Sequence, residues 1–354
     1  MDDAVTIIGA GIVGCSAAYF LAIAGVPVTV LDPVGIAAGA SGRNNGLVEH
    51  PYDAASAPLF DQTVEIMREI LGSAMPQTPV GALLLAEDEL AARGLVDHYA
   101  QFPELRPVLL DPDSAREAEP LLADGMWGCL LDTGYPISPR EATTAVAERA
   151  RQAGARFELG GPVNLDEVRS ASDQVLVAAG AWSSQLLKGL VAPNAVSPLW
   201  GVIVLVEMER GPGHAIIEGT VTRGLTTGKV ENESPFTLLP SPSWLAVGST
   251  LLPGNEPSGE EWAPRLLSRG TKFVPSIQDA HVQGTLVCAR PKSFDSRPIL
   301  GRVPGQDRLW LGSGHGGRGL SLGAASGKLL AEAIIAGSDA AIPAPLRADR
   351  LGAS

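Results

Sequence analysis

Cysteine is scarce in this chain: Cys15, Cys129 and Cys288 are the only three in 354 residues. An odd number without zinc-like spacing excludes a disulfide framework and a cysteine-based metal site, and it points to a reducing compartment. Basic residues are the minority too. Against 39 Asp and Glu stand 26 Lys and Arg, a net charge of −13. A surface of that sign repels nucleic-acid phosphates and anionic membranes, so an anionic substrate must be drawn in by local arginines. Also missing is an apolar run of the ~18–20 residues that a membrane-spanning helix needs. The fold-forming pattern begins at residue 4, which leaves no room for a signal peptide. The expectation is a cytoplasmic protein with no metal, no nucleic-acid partner and no membrane partner; its oligomeric state stays open.

What is present in quantity is glycine and proline, 41 and 28 residues respectively. They are spread along the chain, which reads as turns and phosphate loops and not as a disordered tract. With 45% hydrophobic residues, the chain is long for one core and comfortable for two.

The clearest unit is the first 32 residues. Ala4 to Ile8 is a short β-branched run suited to a strand buried on both faces. Gly9, Gly11 and Gly14 follow at the spacing of the dinucleotide-binding fingerprint. A run of small and apolar residues then leads to Gly25, a helix C-cap candidate. A second β-rich run, Val26 to Leu31, ends at Asp32. The first glycine permits a tight turn, the second lets backbone approach a pyrophosphate, and the third lets helix and strand pack closely. The helix start offers free N–H groups and the positive end of its dipole. Asp32 can accept hydrogen bonds from both ribose hydroxyls, and a carboxylate there argues against a 2′-phosphate. A lone glycine fingerprint is weak evidence; here strand, loop, helix, strand and terminal acid occur in order. The motif does not choose between NAD and FAD.

Further along, 56–71 and 87–102 read as helices and Val80 to Ala86 as a strand. Ser138-Pro-Arg-Glu141 has the form of a capping box opening a helix to about Ala153. Gln174 to Val177 reads as a buried strand. Trp200–Val206, Phe236–Leu239 and Trp244–Val247 read as strands of an antiparallel sheet. Residues 259–272 form a helical stretch, and a last helix runs from about Leu320 to Ala336.

Four segments, in order, carry a resemblance: Val5–Asp32, Ala40–Gly46 (ASGRNNG), Val175–Ser183 (VLVAAGAWS) and Cys288–Lys328, the last holding ARPKSFDSRPILG and GSGHGGRGLSLGAASGK. Together they span nearly the whole chain, which resembles the D-amino acid oxidase superfamily of FAD-dependent amine oxidoreductases, the group of glycine oxidase and sarcosine oxidase. The resemblance implies an α/β plus α+β fold: a Rossmann-type FAD domain and a second domain whose mostly antiparallel sheet covers the flavin. It implies a discontinuous FAD domain (1–75, 138–192 and 289–354) and a substrate domain (76–137 and 193–288).

The resemblance also distributes roles. Cofactor contacts fall to Gly9, Gly11, Ile12, Val13, Gly14 and Asp32, and to Ser41, Gly42, Arg43, Asn44, Asn45 and Gly46 beside the isoalloxazine. They continue at Val163, Ala179, Gly180, Trp182 and Cys288, and end at Gly314, Gly316, Gly317, Arg318, Gly319, Leu320 and Ser321. On residue type alone, Asn44, Asn45 and the glycines can equally be serving turn geometry. Ala178, Ala179 and Gly180 are small where a larger side chain would clash with the dinucleotide. The loop Gly312 to Gly319 presents N–H groups to the pyrimidine end of the flavin, the end where reduction places negative charge.

For the chemistry, Arg290 aligns with the arginine that binds the substrate carboxylate. A planar fork can hold a carboxylate bidentately; the alternative is a structural salt bridge, with Asp295 or another acid. His315 and Arg318 lie in the ring loop as further catalytic candidates, although a histidine there can equally be a structural hydrogen-bonder. Asn45, Trp200, Phe236, Leu251, Arg290 and His315 make up the expected substrate pocket. Cys288 aligns with the cysteine that carries FAD covalently in the sarcosine oxidase branch. Its plain reading is a buried apolar cysteine, and the surrounding Ala-Arg-Pro resembles the non-covalent branch.

Three departures from the family stand out. The basic residue that promotes oxygen reduction would fall near Ala246. The substrate tyrosine of glycine oxidase would fall near Phe236 or Thr237. The segment 155–173 is short and can lack a peripheral hairpin. The expected reaction is oxidation of the C–N bond of a small amine or amino acid by hydride transfer to flavin N5, the imine then hydrolysing. Glycine, sarcosine or a D-amino acid is the substrate class, with oxygen or another acceptor taking the electrons. Alternatives are a 2-hydroxy acid dehydrogenase of the same fold and a non-catalytic FAD protein. A plain NAD enzyme leaves the C-terminal glycine loop unexplained.

Overall fold

Val5–Ile8 forms an inner strand of a six-stranded sheet in the computed structural model, which describes residues 3–219, 234–241 and 244–352. On one side it pairs in parallel with Val28–Asp32, and that strand with Arg156–Leu159. On the other it pairs with Gln174–Val177, followed by Leu309–Ser313. The outermost strand, Ile299–Arg302, runs antiparallel to its neighbour. Parallel strands covered on both faces need continuous apolar runs, which is what VTII, QVLV and LWLGS supply. The short segment 155–173 makes the edge strand Arg156–Leu159 and the helix Leu165–Ala171, with no hairpin.

The first helix, Ile12–Ile23, packs against the last, Gly319–Ala336. Small residues let the two approach closely. A Cβ added at Gly327 would lie 2.5 Å from Ser16 Cβ, and one at Gly323 would lie 2.6 Å from Ile12 Cγ2. The same glycines, alanines and serines make the stretch Gly316–Ala336 long and apolar enough to cross a membrane, contrary to the expectation that no segment qualifies. Most of that stretch is buried inside the protein.

The helix opened by Ser138 runs from Pro139 to Gln152, with proline in its first turn. The expected capping box is not formed, because the Ser138 side chain accepts no hydrogen bond from the helix start. Ser138→Ala should therefore change stability by less than about 0.5 kcal/mol, where loss of a real cap costs about 1 kcal/mol. Chemical denaturation of the two proteins measures the difference.

The second sheet has nine strands, one of them lying off the main path. From one edge it runs Leu252–Pro253, Val196–Glu207, Leu245–Gly248, Thr237–Pro240, Ala215–Glu218, Ala82–Ala86, Trp127–Leu131 and Val108–Leu110. His281–Ser293 pairs with the long strand Val196–Glu207 over almost its whole length. All pairings are antiparallel except that of Ala82–Ala86 with Ala215–Glu218. One face packs on the helix Gly259–Gly270 through Val202, Val204, Leu238 and Val247. The other carries a second core that includes Leu84, Cys129, Ile217 and Tyr99.

Candidate active site

Between the two sheets lies a cleft of about 750 Å³, within the range of small-molecule and cofactor sites. One end is built by the turn after Val5–Ile8. Gly9 adopts φ +117°, and a Cβ there would sit 2.3 Å from the carbonyl oxygen of Ala178. Gly11, Ile12 and Val13 line the cleft, at a helix start whose N-cap residue is glycine and whose first turn carries no acid. Gly14 stands behind them, where a Cβ would meet the Gly9 carbonyl oxygen at 2.0 Å. Only hydrogen fits at that position.

Asp32 closes its strand on the cleft wall. Ala10 N donates to its Oδ2 at 2.9 Å, while Val34 N and Gly35 N donate to Oδ1 at 2.9 and 2.8 Å. Three backbone donors thus fix the carboxylate at the strand end, filling Oδ1 and leaving Oδ2 one acceptor site for a ligand hydroxyl. Ser41 Oγ accepts from Ile12 N at 3.0 Å, joining the 40–46 loop to the helix start. Arg43, Asn44 and Asn45 line the cleft. Asn44 also holds its own loop, donating to Ala40 O and accepting from Gly46 N. Gly42 and Gly46 lie behind that wall, each with a carbonyl oxygen where a Cβ would go. Val163, Ala179, Gly180 and Trp182 complete this half.

The far half is the edge of the second sheet. Cys288 and Arg290 lie on one face of their strand, since alternate residues share a face, and the register sets Gly201 opposite Cys288. The Arg290 guanidinium lies across Gly201, where a Cβ would be 2.4 Å from Nη1. Nη1 donates to Thr250 O at 2.7 Å and Nη2 donates to Ser249 Oγ. Both acceptors are neutral. Asp295, the acid that might have neutralised Arg290, instead pairs with Arg350 at 2.8 Å. Among the described residues no carboxylate lies within 4.0 Å of Arg290. Burial pulls the pKa of this guanidinium below its ordinary value, with the nearby Cys288 thiol opposing; arginine stays charged nonetheless. A cation without a carboxylate partner among the described residues, half-buried on the wall of a cleft, has the chemistry to accept an anion.

Three expected pocket residues lie outside the cleft lining. Phe236 is stacked on Phe273, with ring centroids 4.8 Å apart, in the core facing the helix Gly259–Gly270. Trp200 alternates with Gly201 and so faces away; its Nε1 donates to Gly254 O at 2.8 Å. Leu251 is buried beyond Thr250, whose backbone carbonyl, and not a side chain, meets the arginine. Period-two alternation instead puts Thr237 on the face of Ile203, which lines the cleft; both side chains lie within 3.2 Å of where a Cβ on Gly248 would go. Gly201 and Ile203, which line the cleft, and Ser249 and Thr250, which hold Arg290, are among the residues that the sequence reading missed. An isolated glycine within a strand pattern marks close approach, and Gly201 carried that signal.

The glycine loop forms the third wall. Gly316, Gly317, Gly319 and Leu320 line the cleft, while Gly314 turns the chain at φ +79° behind it. His315 also borders the cleft, but its ring is buried with Nε2 3.0 Å from Ser326 Oγ. Burial pulls its pKa down to about 4, so it is a neutral structural hydrogen-bonder near neutrality. Arg318 leaves the cleft altogether. It closes a short 3₁₀ turn, Gly316–Arg318, in which successive side chains point about 120° apart, and its charge faces Glu49, Tyr52 and Asp53. Ser321 likewise faces this segment, its Oγ accepting from Glu49 N at 3.0 Å.

The family model of the DAO FAD dependent oxidoreductases matches residues 4–333. The chain belongs to this family. It is 27% identical to a glycine oxidase of Pseudomonas aeruginosa, with 98% of each chain covered. To a glycine oxidase of Bacillus licheniformis it is 25% identical, over 93% of this chain and 92% of the relative. The crystal structure of glycine oxidase from Geobacillus kaustophilus superposes with a TM-score of 0.82 at 23% identity, covering 98% of each chain. That likeness establishes the fold.

The DAO family chain is thus an FAD-dependent oxidoreductase, and its cleft fits the cofactor. The helix start on the cleft wall has no acid in its first turn and could receive a phosphate, the Asp32 carboxylate is fixed at the strand end, and small residues line the route between them.

Proposed function

We propose that this enzyme oxidises the C–N bond of a small amine or amino acid and that Arg290 holds the carboxylate of that substrate. The observation that carries the reading is the Arg290 fork, seated over Gly201 on two neutral acceptors and lacking an acidic partner among the described residues. Two charge-assisted hydrogen bonds from one planar group set position and orientation together, which fixes where the α-carbon of an amino acid lies. The relatives that carry the name glycine oxidase support the substrate class. Bound FAD supplies the two-electron acceptor. The protein's share is to orient the substrate and exclude water, since no titratable side chain on the described walls is placed as a base: His315 is neutral and turned into the protein.

The same fork would hold a 2-hydroxy acid, so the test must separate the two. The flavin spectrum is followed anaerobically while glycine, sarcosine, D- and L-amino acids and 2-hydroxy acids are added in turn. Bleaching by an amine supports the proposal. Bleaching only by hydroxy acids overturns it. Repeating the active pair in air reads whether oxygen is the acceptor, a question that a buried alanine at position 246 leaves open.

Cys288 borders the cleft, yet burial pushes its thiol pKa up, with Arg290 and Arg43 opposing. Nucleophilic attack needs the thiolate, so we propose that FAD is held without a covalent bond. Acid precipitation of the purified enzyme should release all the yellow colour into the supernatant; colour remaining in the pellet would show a link.

A further inference from the structure

The glycine loop that closes the cleft has few side chains to hold it. From Gly314 to Gly319 only His315 and Arg318 carry one, and glycine backbone is the costliest to fix in a single conformation. Both side chains turn into the protein and meet different segments. His315 is tied to Ser326 of the last helix. Arg318 reaches the segment 49–53, with Nη2 sealed from solvent and without a hydrogen-bond partner. That segment is itself held: Glu49 N donates to Ser321 Oγ, and the Tyr52 hydroxyl donates to Glu49 Oε2 at 3.5 Å.

We infer that Arg318 is a positioning residue which, turned out of the cleft and buried toward the segment 49–53, pegs the Gly314–Gly319 loop so that its backbone N–H groups are aimed at the cleft before FAD enters. The inference rests on FAD in the cleft and not on the choice of amine as substrate. Loop preorganisation raises affinity by removing an ordering cost from binding.

The surroundings of Glu49 make the peg pH-sensitive. Burial pushes the Glu49 carboxyl up to about 7, against the opposing pull of Arg318 and of the Tyr52 hydroxyl. Asp53, which also faces Arg318, is already bound to Arg297 at 2.9 Å. Tyr99 of the helix Glu89–Tyr99 faces Tyr52 and Arg318. His50, beside Glu104, is pulled down to about 4 by burial and stays neutral. Glu49 is therefore the group facing Arg318 that changes charge near neutrality: a carboxylate above about 7, and neutral below it.

The test measures FAD release on dilution of the full-length holoenzyme, by flavin fluorescence, at about pH 6 and about pH 8, a pair that brackets the Glu49 transition. Arg318→Met should bind FAD roughly tenfold more weakly, and its loop amides should exchange hydrogen faster in the FAD-free chain. Arg318→Lys should lie between, because an ammonium keeps the charge and loses the planar fork. Wild type should bind FAD more tightly at the higher pH, and Glu49→Gln should lose that dependence. Wild-type affinity in Arg318→Met, or an intact pH dependence in Glu49→Gln, overturns the inference. If Arg318→Met fails to fold, Arg318→Lys and Glu49→Gln decide by the same readouts.

Discussion

Replacing Arg290 with methionine is expected to lower kcat/KM for a carboxylate substrate sharply while the purified protein stays yellow. Removing one partner of a buried, hydrogen-bonded charge pair costs about 2–4 kcal/mol, which is roughly 30- to 1,000-fold. The cofactor should be unaffected, because the guanidinium is held by Thr250 and Ser249 of the second sheet, far along the cleft from the Asp32 end. Arg290→Lys should recover only part of the loss, since an ammonium cannot reproduce the bidentate fork. An amine without a carboxylate should show no comparable loss. Steady-state kinetics with both substrate types provides the measurement. Unchanged kcat/KM for every carboxylate that reduces the wild-type flavin would remove Arg290 from the site.

Gly9→Ala should give a chain that no longer retains FAD. The added Cβ meets the Ala178 carbonyl oxygen at 2.3 Å and its carbon at 2.7 Å, both backbone atoms that cannot rotate aside. The φ of +117° adds strain for a side chain, about 1–3 kcal/mol by itself. Relief requires the strands Val5–Ile8 and Gln174–Val177 to part at the cleft end of their pairing, where the dinucleotide loop begins. Gly25→Ala is the control. It also has positive φ, +82°, but nothing within 4 Å of its new Cβ, so it should cost only the backbone term and keep its colour. The ratio of flavin to protein absorbance, together with the thermal midpoint, separates the two. A yellow Gly9→Ala protein of normal stability would mean that the turn is less constrained than its contacts imply.

The dinucleotide end was legible because its determinants are local. Strand, glycine turn, helix and acid occur within 32 residues, and each step is set by the residues beside it. Even there the helix begins at Ile12, inside the glycine fingerprint. The strands of the second sheet were legible as strands but not by face. A one-residue error in facing sends a side chain to the opposite side, which is how Phe236 and Trp200 came to be expected in the pocket. Ser138 shows the complementary limit: a capping sequence without a cap, since a side chain's partner depends on the rotamer that its surroundings allow.

The sequence by itself determined the dinucleotide loop and the order of its elements, because those follow from local spacing, while the choice of FAD and the expectation for Arg290 came from the resemblance to a family. Only the tertiary structure decided what each side chain meets. Strand alternation separates two faces but does not say which one looks onto the cleft. That was settled by the helix Gly259–Gly270, which covers the Phe236 face and leaves Gly201 and Ile203 to the cleft. The direction of Arg318 was likewise visible only in the fold: it turns away from the cleft toward the segment of Glu49 and Asp53, remote in sequence.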